Sequence, residues 1–158
     1  MPWSNNCYKL PRIADYAAAK KRFDDTAQPR ASLLNAFQRP LDGARAYDKR
    51  IQFDPSNQAY ELVLYRTPLV TYYPDGTVAV RPDSRKMSRD FLCATLPLGL
   101  SVTSHADETM VIAHTLEGPA WYSKAVGALY FKRCGNHLWQ LTSPTDQRIR
   151  ERMCLKRA

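Results

Sequence analysis

Residues Tyr60 to Arg81 read Y-E-L-V-L-Y-R-T-P-L-V-T-Y-Y-P-D-G-T-V-A-V-R. Apolar and polar side chains alternate here, Val, Leu, Tyr and Thr predominate, and Pro-Asp-Gly interrupts the run. A period of two with β-branched and aromatic residues is the signature of half-buried strands, so this stretch must fold as an antiparallel meander. Pro74 suits the second position of a type I turn, Asp75 the third, and Gly76 the left-handed residue that follows. The spacing predicts strands over 60–65, 69–73 and 77–81, with Thr67-Pro68 as a corner. Leu62, Leu64, Val70 and Val78 are expected toward the core. A one-residue change of register would exchange the two faces, so the alternation alone leaves the register open.

The rest of the chain builds around that sheet. Pro11 to Thr26 is predicted as a helix, with Ile13, Tyr16, Ala17 and Phe23 near a 3.6-residue period. A second helical turn is expected over Ala31 to Phe37, and a first strand around Tyr47, Ile51 and Phe53. Ser84 to Pro97 reads as a helix capped by Ser84 or Ser88 and stopped by Pro97 and Gly99. Further strands are expected at 100–103, 110–115, 128–132 and 138–141, whereas 118–135 fits either helix or strand. Ser143 to Leu155 carries helix start signals and the cations Arg148, Arg150 and Arg152. The expectation is one α+β domain over 1–158, a mainly antiparallel sheet flanked by three or four helices. Its N-terminal helical part covers about 11–38, its sheet core about 45–142, and a basic C-terminal helix about 144–156.

Length and charge narrow the function. The 158 residues suit one domain. No apolar run approaches the roughly 20 residues that span a bilayer, and the N-terminus lacks a basic region followed by an apolar one. A cytoplasmic protein without a membrane partner is expected. Lys and Arg number 23 against 15 Asp and Glu, a net charge of +8. Such an excess favours polyanionic partners, nucleic acid first and acidic protein surfaces second.

Residues with catalytic or metal-binding chemistry are sparse. Cys7, Cys93, Cys134 and Cys154 contain no C-x-x-C pair and read as reduced thiols. Cys134 and His137, with His114 and Cys93, have the donor types of a zinc site, but only one close ligand pair, where a structural site normally has two. His105, Asp107, Glu108 and His114 supply general acid and base groups in a polar loop. Neither a P-loop nor a nucleophile elbow accompanies them. The balance is against an enzyme, and no cofactor is expected. Tyr72, Tyr73, Trp121, Tyr122, Tyr130 and Trp139 could stack on bases, with Lys86, Arg89, Lys124, Lys132 and Arg133 following a phosphate backbone. The bland alternative is that strand aromatics pack in the core.

The words T67-P-L-V-T-Y-Y-P-D-G-T-V-A-V80, then Ser84 to Ser88 and L96-P-L-G-L-S-V102, carry a resemblance. About Tyr60 to Val102 resembles small proteins of tailed bacteriophages and mobile elements. Those proteins combine a V-T-[YFW]-x-P-D-G-[TS] hairpin, a Ser/Thr-rich helix start and an L-P-x-G-x-x-V segment. Pro82-Asp83 stands where that group carries Gly-Trp. The resemblance implies a phage-like origin and a bacterial host cell, and supplies no catalytic residue. The resulting expectation is a non-catalytic binding protein acting on a host protein or nucleoprotein complex in defence, transcription or other nucleic-acid machinery. A direct single-stranded DNA or RNA binder and a virion structural or assembly protein are the alternatives. The expected binding surface comprises Tyr72, Tyr73, Arg81, Arg85, Lys86, Arg89, Lys132, Arg133, Arg148 and Arg152.

Overall fold

A computed structural model describes residues 10–28, 34–41, 48–123 and 127–142. Among these residues, ten strands form two antiparallel sheets, and two ten-residue helices, α1 (Tyr16–Asp25) and α2 (Lys86–Thr95), pack with them. The larger sheet has the order β1-β2-β3-β4-β5-β9-β10. Its strands are β1 (Gln38–Pro40), β2 (Lys49–Asp54), β3 (Ala59–Leu64), β4 (Thr67–Tyr72), β5 (Val78–Val80), β9 (Leu129–Gly135) and β10 (Leu138–Leu141). The smaller sheet is a meander of β6 (Leu100–His105), β7 (Glu108–Thr115) and β8 (Gly118–Ser123). α2 and this second sheet form one excursion between β5 and β9, which then pair directly.

This architecture corrects the expectation of one sheet flanked by three or four helices. Two sheets dominate, and the described residues hold two short helices. The helical turn expected over Ala31 to Phe37 does not form at its described end. Asn35 accepts from the Phe37 amide through Oδ1 at 2.9 Å, and its carbonyl accepts from the Gln38 amide at 3.1 Å. An Asn that bonds its own backbone two residues on offers the chain a turn in place of a helix, and here it leads into β1. The C-terminal helix expected over 144–156 lies outside the described residues. The ambiguous stretch 118–135 resolves, where described, into β8 and β9.

Local chemistry sets the helix limits. α1 starts five residues later than expected because Asp15 is its N-cap, accepting from the Ala18 amide at 2.8 Å. The preceding segment is laced to other elements instead. Ile13 donates its amide to the Thr95 carbonyl, and Arg12 donates to Leu96 and Cys93 at the C-terminal end of α2. Neither expected serine caps α2: Arg85 is at the N-cap position without a side-chain cap bond, and Asp83 braces the entry, Oδ1 accepting from the Arg85 amide and Oδ2 from Ser88 Oγ. α2 ends at Thr95, since Leu96 precedes Pro97 and is driven to extended backbone.

The hairpin is as expected at Pro-Asp-Gly. Gly76 donates its amide to Tyr73 O at 3.0 Å and has φ +92°, with Pro74 and Asp75 at the two central turn positions. The corner before it is different. Leu64 pairs with Thr67 across the two-residue connection Tyr65-Arg66, where Tyr65 takes φ +55°. Thr67-Pro68 therefore belongs to β4. Leu62 pairs with Val70 and Val63 with Pro68, so Leu69 is an extra residue in β4, and the ladder bulges there. The missing N–H of Pro68 suits such a position. Leu69 and Val70 both enter the core.

One face of the large sheet carries the aligned row Ile51, Leu62, Val70, Val80 and Leu129, with Tyr60, Tyr72, Val78 and Phe131 beside it. Leu62, Leu64, Val70 and Val78 are buried on that face, as the alternation suggests. Phe23 from α1 meets Phe53 and Tyr60, and Phe91 and Leu92 of α2 are fully buried in the same cluster. Tyr122 of β8 packs edge-on against Phe131 of β9 at 5.8 Å between ring centres, joining the two sheets. The Trp139 indole donates to Leu98 O at 3.0 Å, tying β10 to the corner between α2 and β6. Among the described residues, no helix is long and apolar enough to cross a membrane.

Candidate binding surface

The hairpin register separates the two tyrosines that the sequence places side by side. Tyr72 pairs with Tyr60 and Val78 on the core face and is fully buried. Its hydroxyl donates to Ile13 O at 2.8 Å, and burial, the largest influence, pushes its pKa far up. Tyr72 is thus a core strut that pins the 11–14 segment, which removes it from the expected binding surface. Alternation turns Tyr73 the other way. It meets Tyr130 at 6.4 Å between ring centres, on the face that also carries Gln52, Glu61, Thr71, Ala79 and Lys132.

This second face is polar and mixed in charge. Gln38 donates to Gln52 and Gln52 to Glu61, an amide–carboxylate ladder across three strands. Lys132 lies 3.8 Å from Asp75. The Tyr73 phenol is raised first by burial and next by Tyr130, with Arg81 opposing and Glu61 and Asp54 adding to the rise. Cations and carboxylates both border the tyrosine pair, so the strand aromatics are not set in a purely basic field.

Arg81, exposed just beyond β5, is one of the cations that act on Tyr73, and a further three, Arg85, Lys86 and Arg89, surround the first turn of α2. Arg85 pairs with Asp83 at 2.6 Å, and Arg89 donates to Ser84 O at 2.7 Å. Three cations around a helix start oppose the helix dipole, which favours negative charge there. Arg133 is placed apart from this group, over the Trp139 ring at 5.2 Å and donating to Ala14 O at 3.0 Å. Arg148 and Arg152 lie outside the described residues, as does Lys124 of the proposed phosphate track.

Several arginines have partners that sequence reading does not reveal. Arg12 donates to Leu96 and Cys93, Arg22 to Leu41, and Arg39 to Thr26, Ala36 and Gln38, in each case to a backbone carbonyl. Arg39 also lies over the Phe23 ring at 4.5 Å. No local pattern marks these contacts, because Arg12 and Leu96 are 84 residues apart. Each bond satisfies a loop or helix-end oxygen while leaving the guanidinium charge in place.

The residues considered for catalysis or zinc do not assemble. His105 stands opposite Glu108 across a two-residue turn and meets Trp121 edge-on at 5.9 Å. His114 is at the far end of β7, six residues from Glu108 and hence about 20 Å away along the strand. Cys93 donates its thiol to Val102 O at 3.0 Å. Among the described residues, no group of three or more His, Cys, Asp or Glu is gathered so as to hold a metal ion. Comparison with protein-family models, curated proteins and solved structures finds no match to this chain.

Proposed function

We propose that the protein is a non-catalytic binding protein that acts on a host macromolecular complex through a basic surface. The group around Arg81, Arg85, Lys86 and Arg89 is its centre. The observation that carries this reading is the use made of arginine. Arg12, Arg22, Arg39, Arg89 and Arg133 donate to neutral carbonyl oxygens, so those bonds do not offset the guanidinium charges locally, in a chain whose net charge is +8. A chain that organises its loops with cations retains a positive field, which steers association with acidic or polyanionic partners. The resemblance of 60–102 to small phage and mobile-element proteins supplies the setting, a bacterial host cell with nucleic-acid machinery or its defence apparatus as target.

A second reading, direct binding of single-stranded nucleic acid, is favoured by the Tyr73–Tyr130 pair, since neighbouring aromatic faces can take successive bases. Glu61 and Asp54 near Tyr73 weigh against it. The two separate in a titration of a single-stranded oligonucleotide at low and moderate salt. Under the first reading, affinity stays weak and the Tyr73→Ala variant is unchanged. Tight, steeply salt-dependent binding that is lost in Tyr73→Ala supports the second and displaces the first. A virion or assembly role is tested by stable self-association of the purified chain.

A further inference from the structure

A cleft of about 640 Å³ lies between the 11–13 segment, one side of α1 and the end of β1. That volume is in the range of small-molecule sites. Its lining combines an apolar part with a charged one. Half-buried Pro11, Ala18 and Pro40 form the first, over the fully packed Ile13 and Leu41. Arg12, Lys21 and Arg22 contribute three cations to the second, against the single carboxylate of Asp25, which Lys21 meets at 2.7 Å.

The arginines retain donors. Arg12 uses Nη1 and Nη2 for Leu96 and Cys93, two of the five N–H groups a guanidinium carries. Arg22 donates from Nη2 to Leu41 O, while its Nε is buried with no hydrogen-bond partner among the described residues. An unsatisfied buried donor costs about 1–3 kcal/mol, and a bound water, ion or ligand group is one way in which that cost is met.

We propose that this cleft binds a small anionic molecule with an apolar body. Its carboxylate or phosphate head lies among Arg12, Lys21 and Arg22, and its hydrocarbon part lies against the half-buried Pro11, Ala18 and Pro40. The site is independent of the macromolecular surface around Arg81 to Arg89, and its test does not depend on that reading.

The experiment is an NMR titration of the full chain with octanoate, octyl phosphate and uncharged octanol, each up to about 10 mM, a range that reveals even weak binding. Octanoate or octyl phosphate is expected to give saturable shifts at the amides of Ile13, Ala18 and Leu41, and the stronger of the two identifies the head group. Octanol is expected to bind at least about tenfold more weakly, as the charge contribution requires. In Lys21→Glu, whose side chain is 77% exposed in the native protein and whose amide spectrum should show the native fold, affinity should fall by about fivefold or more. Shifts with neither anion, equal binding of octanol, or undiminished binding by Lys21→Glu would each overturn the proposal.

Discussion

Gly99 and His137 are locked against each other: a Cβ at Gly99 would overlap the His137 carbonyl oxygen and come within 2.9 Å of Trp139 Cδ1. Gly99 also has φ +95°, a left-handed conformation costly for other residues. The L-P-L-G segment is therefore a clasp, with Leu98 O accepting the Trp139 indole and Gly99 O accepting the His114 amide at 2.8 Å. Gly99→Ala combines backbone strain with a steric clash and should cost more than about 2 kcal/mol of stability in urea unfolding. Tryptophan fluorescence should report Trp139 loosening in the same variant.

The β6–β7 turn is under local strain that substitution can relieve. His105 pairs with Glu108, and both intervening residues have positive φ, Ala106 at 49° and Asp107 at 63°. Two-residue hairpins of this kind strongly favour Asn-Gly. The double variant Ala106→Asn, Asp107→Gly should raise stability by about 1 kcal/mol, read as a higher urea midpoint at unchanged slope.

Arg12 holds the N-terminal segment to the end of α2, where unpaired carbonyls accept its two bonds. Hydrogen bonds from a charged donor contribute about 1.5–3 kcal/mol, and a cation at a helix C-terminus adds to that. Arg12→Met keeps most of the stem and removes the charge, so it should destabilise by about 1–3 kcal/mol. Hydrogen exchange should rise first at Ile13 and in the last turn of α2.

Asp83 at the entry to α2 sets an acid-side dependence. Burial works to raise the Asp83 carboxyl, but bonds from the Arg85 side chain and amide, the Arg85 charge and Ser88 together hold it below its ordinary 3.8. A depressed folded-state pKa gives stability that is fully present above the unfolded value and is lost as pH falls through the folded one. Thermal stability should therefore decline as pH drops below about 4. Asp83→Asn should be less stable at pH 7 and show a shallower decline in acid.

The parts legible in the sequence are those decided by neighbours along the chain. Pro74-Asp75-Gly76 makes its turn with its own backbone, and Leu62, Leu64, Val70 and Val78 share a face by alternation. What depends on distant partners was hidden. Tyr72 and Tyr73 are equally aromatic, and only the register to Tyr60 and Val78 sends the first into the core. Asn35 turns the chain away from a helix through its own side chain, although Leu33, Leu34 and Phe37 have helical spacing. Arg85, Lys86 and Arg89 lie near one another simply because one helix start carries them. The cleft was not legible, because Arg12, Arg22 and Leu41 meet only in the folded chain.

The proposed function requires a macromolecular partner held by the basic surface. Its most direct test is quantitative affinity purification from nuclease-treated bacterial lysate, comparing the native chain with a folded Arg81→Glu, Lys86→Glu, Arg89→Glu variant. The expected result is a stoichiometric protein partner that survives nuclease, weakens with salt and is lost from the charge-reversed variant. Equal retention of that partner by the variant, or no partner at low salt, would contradict it.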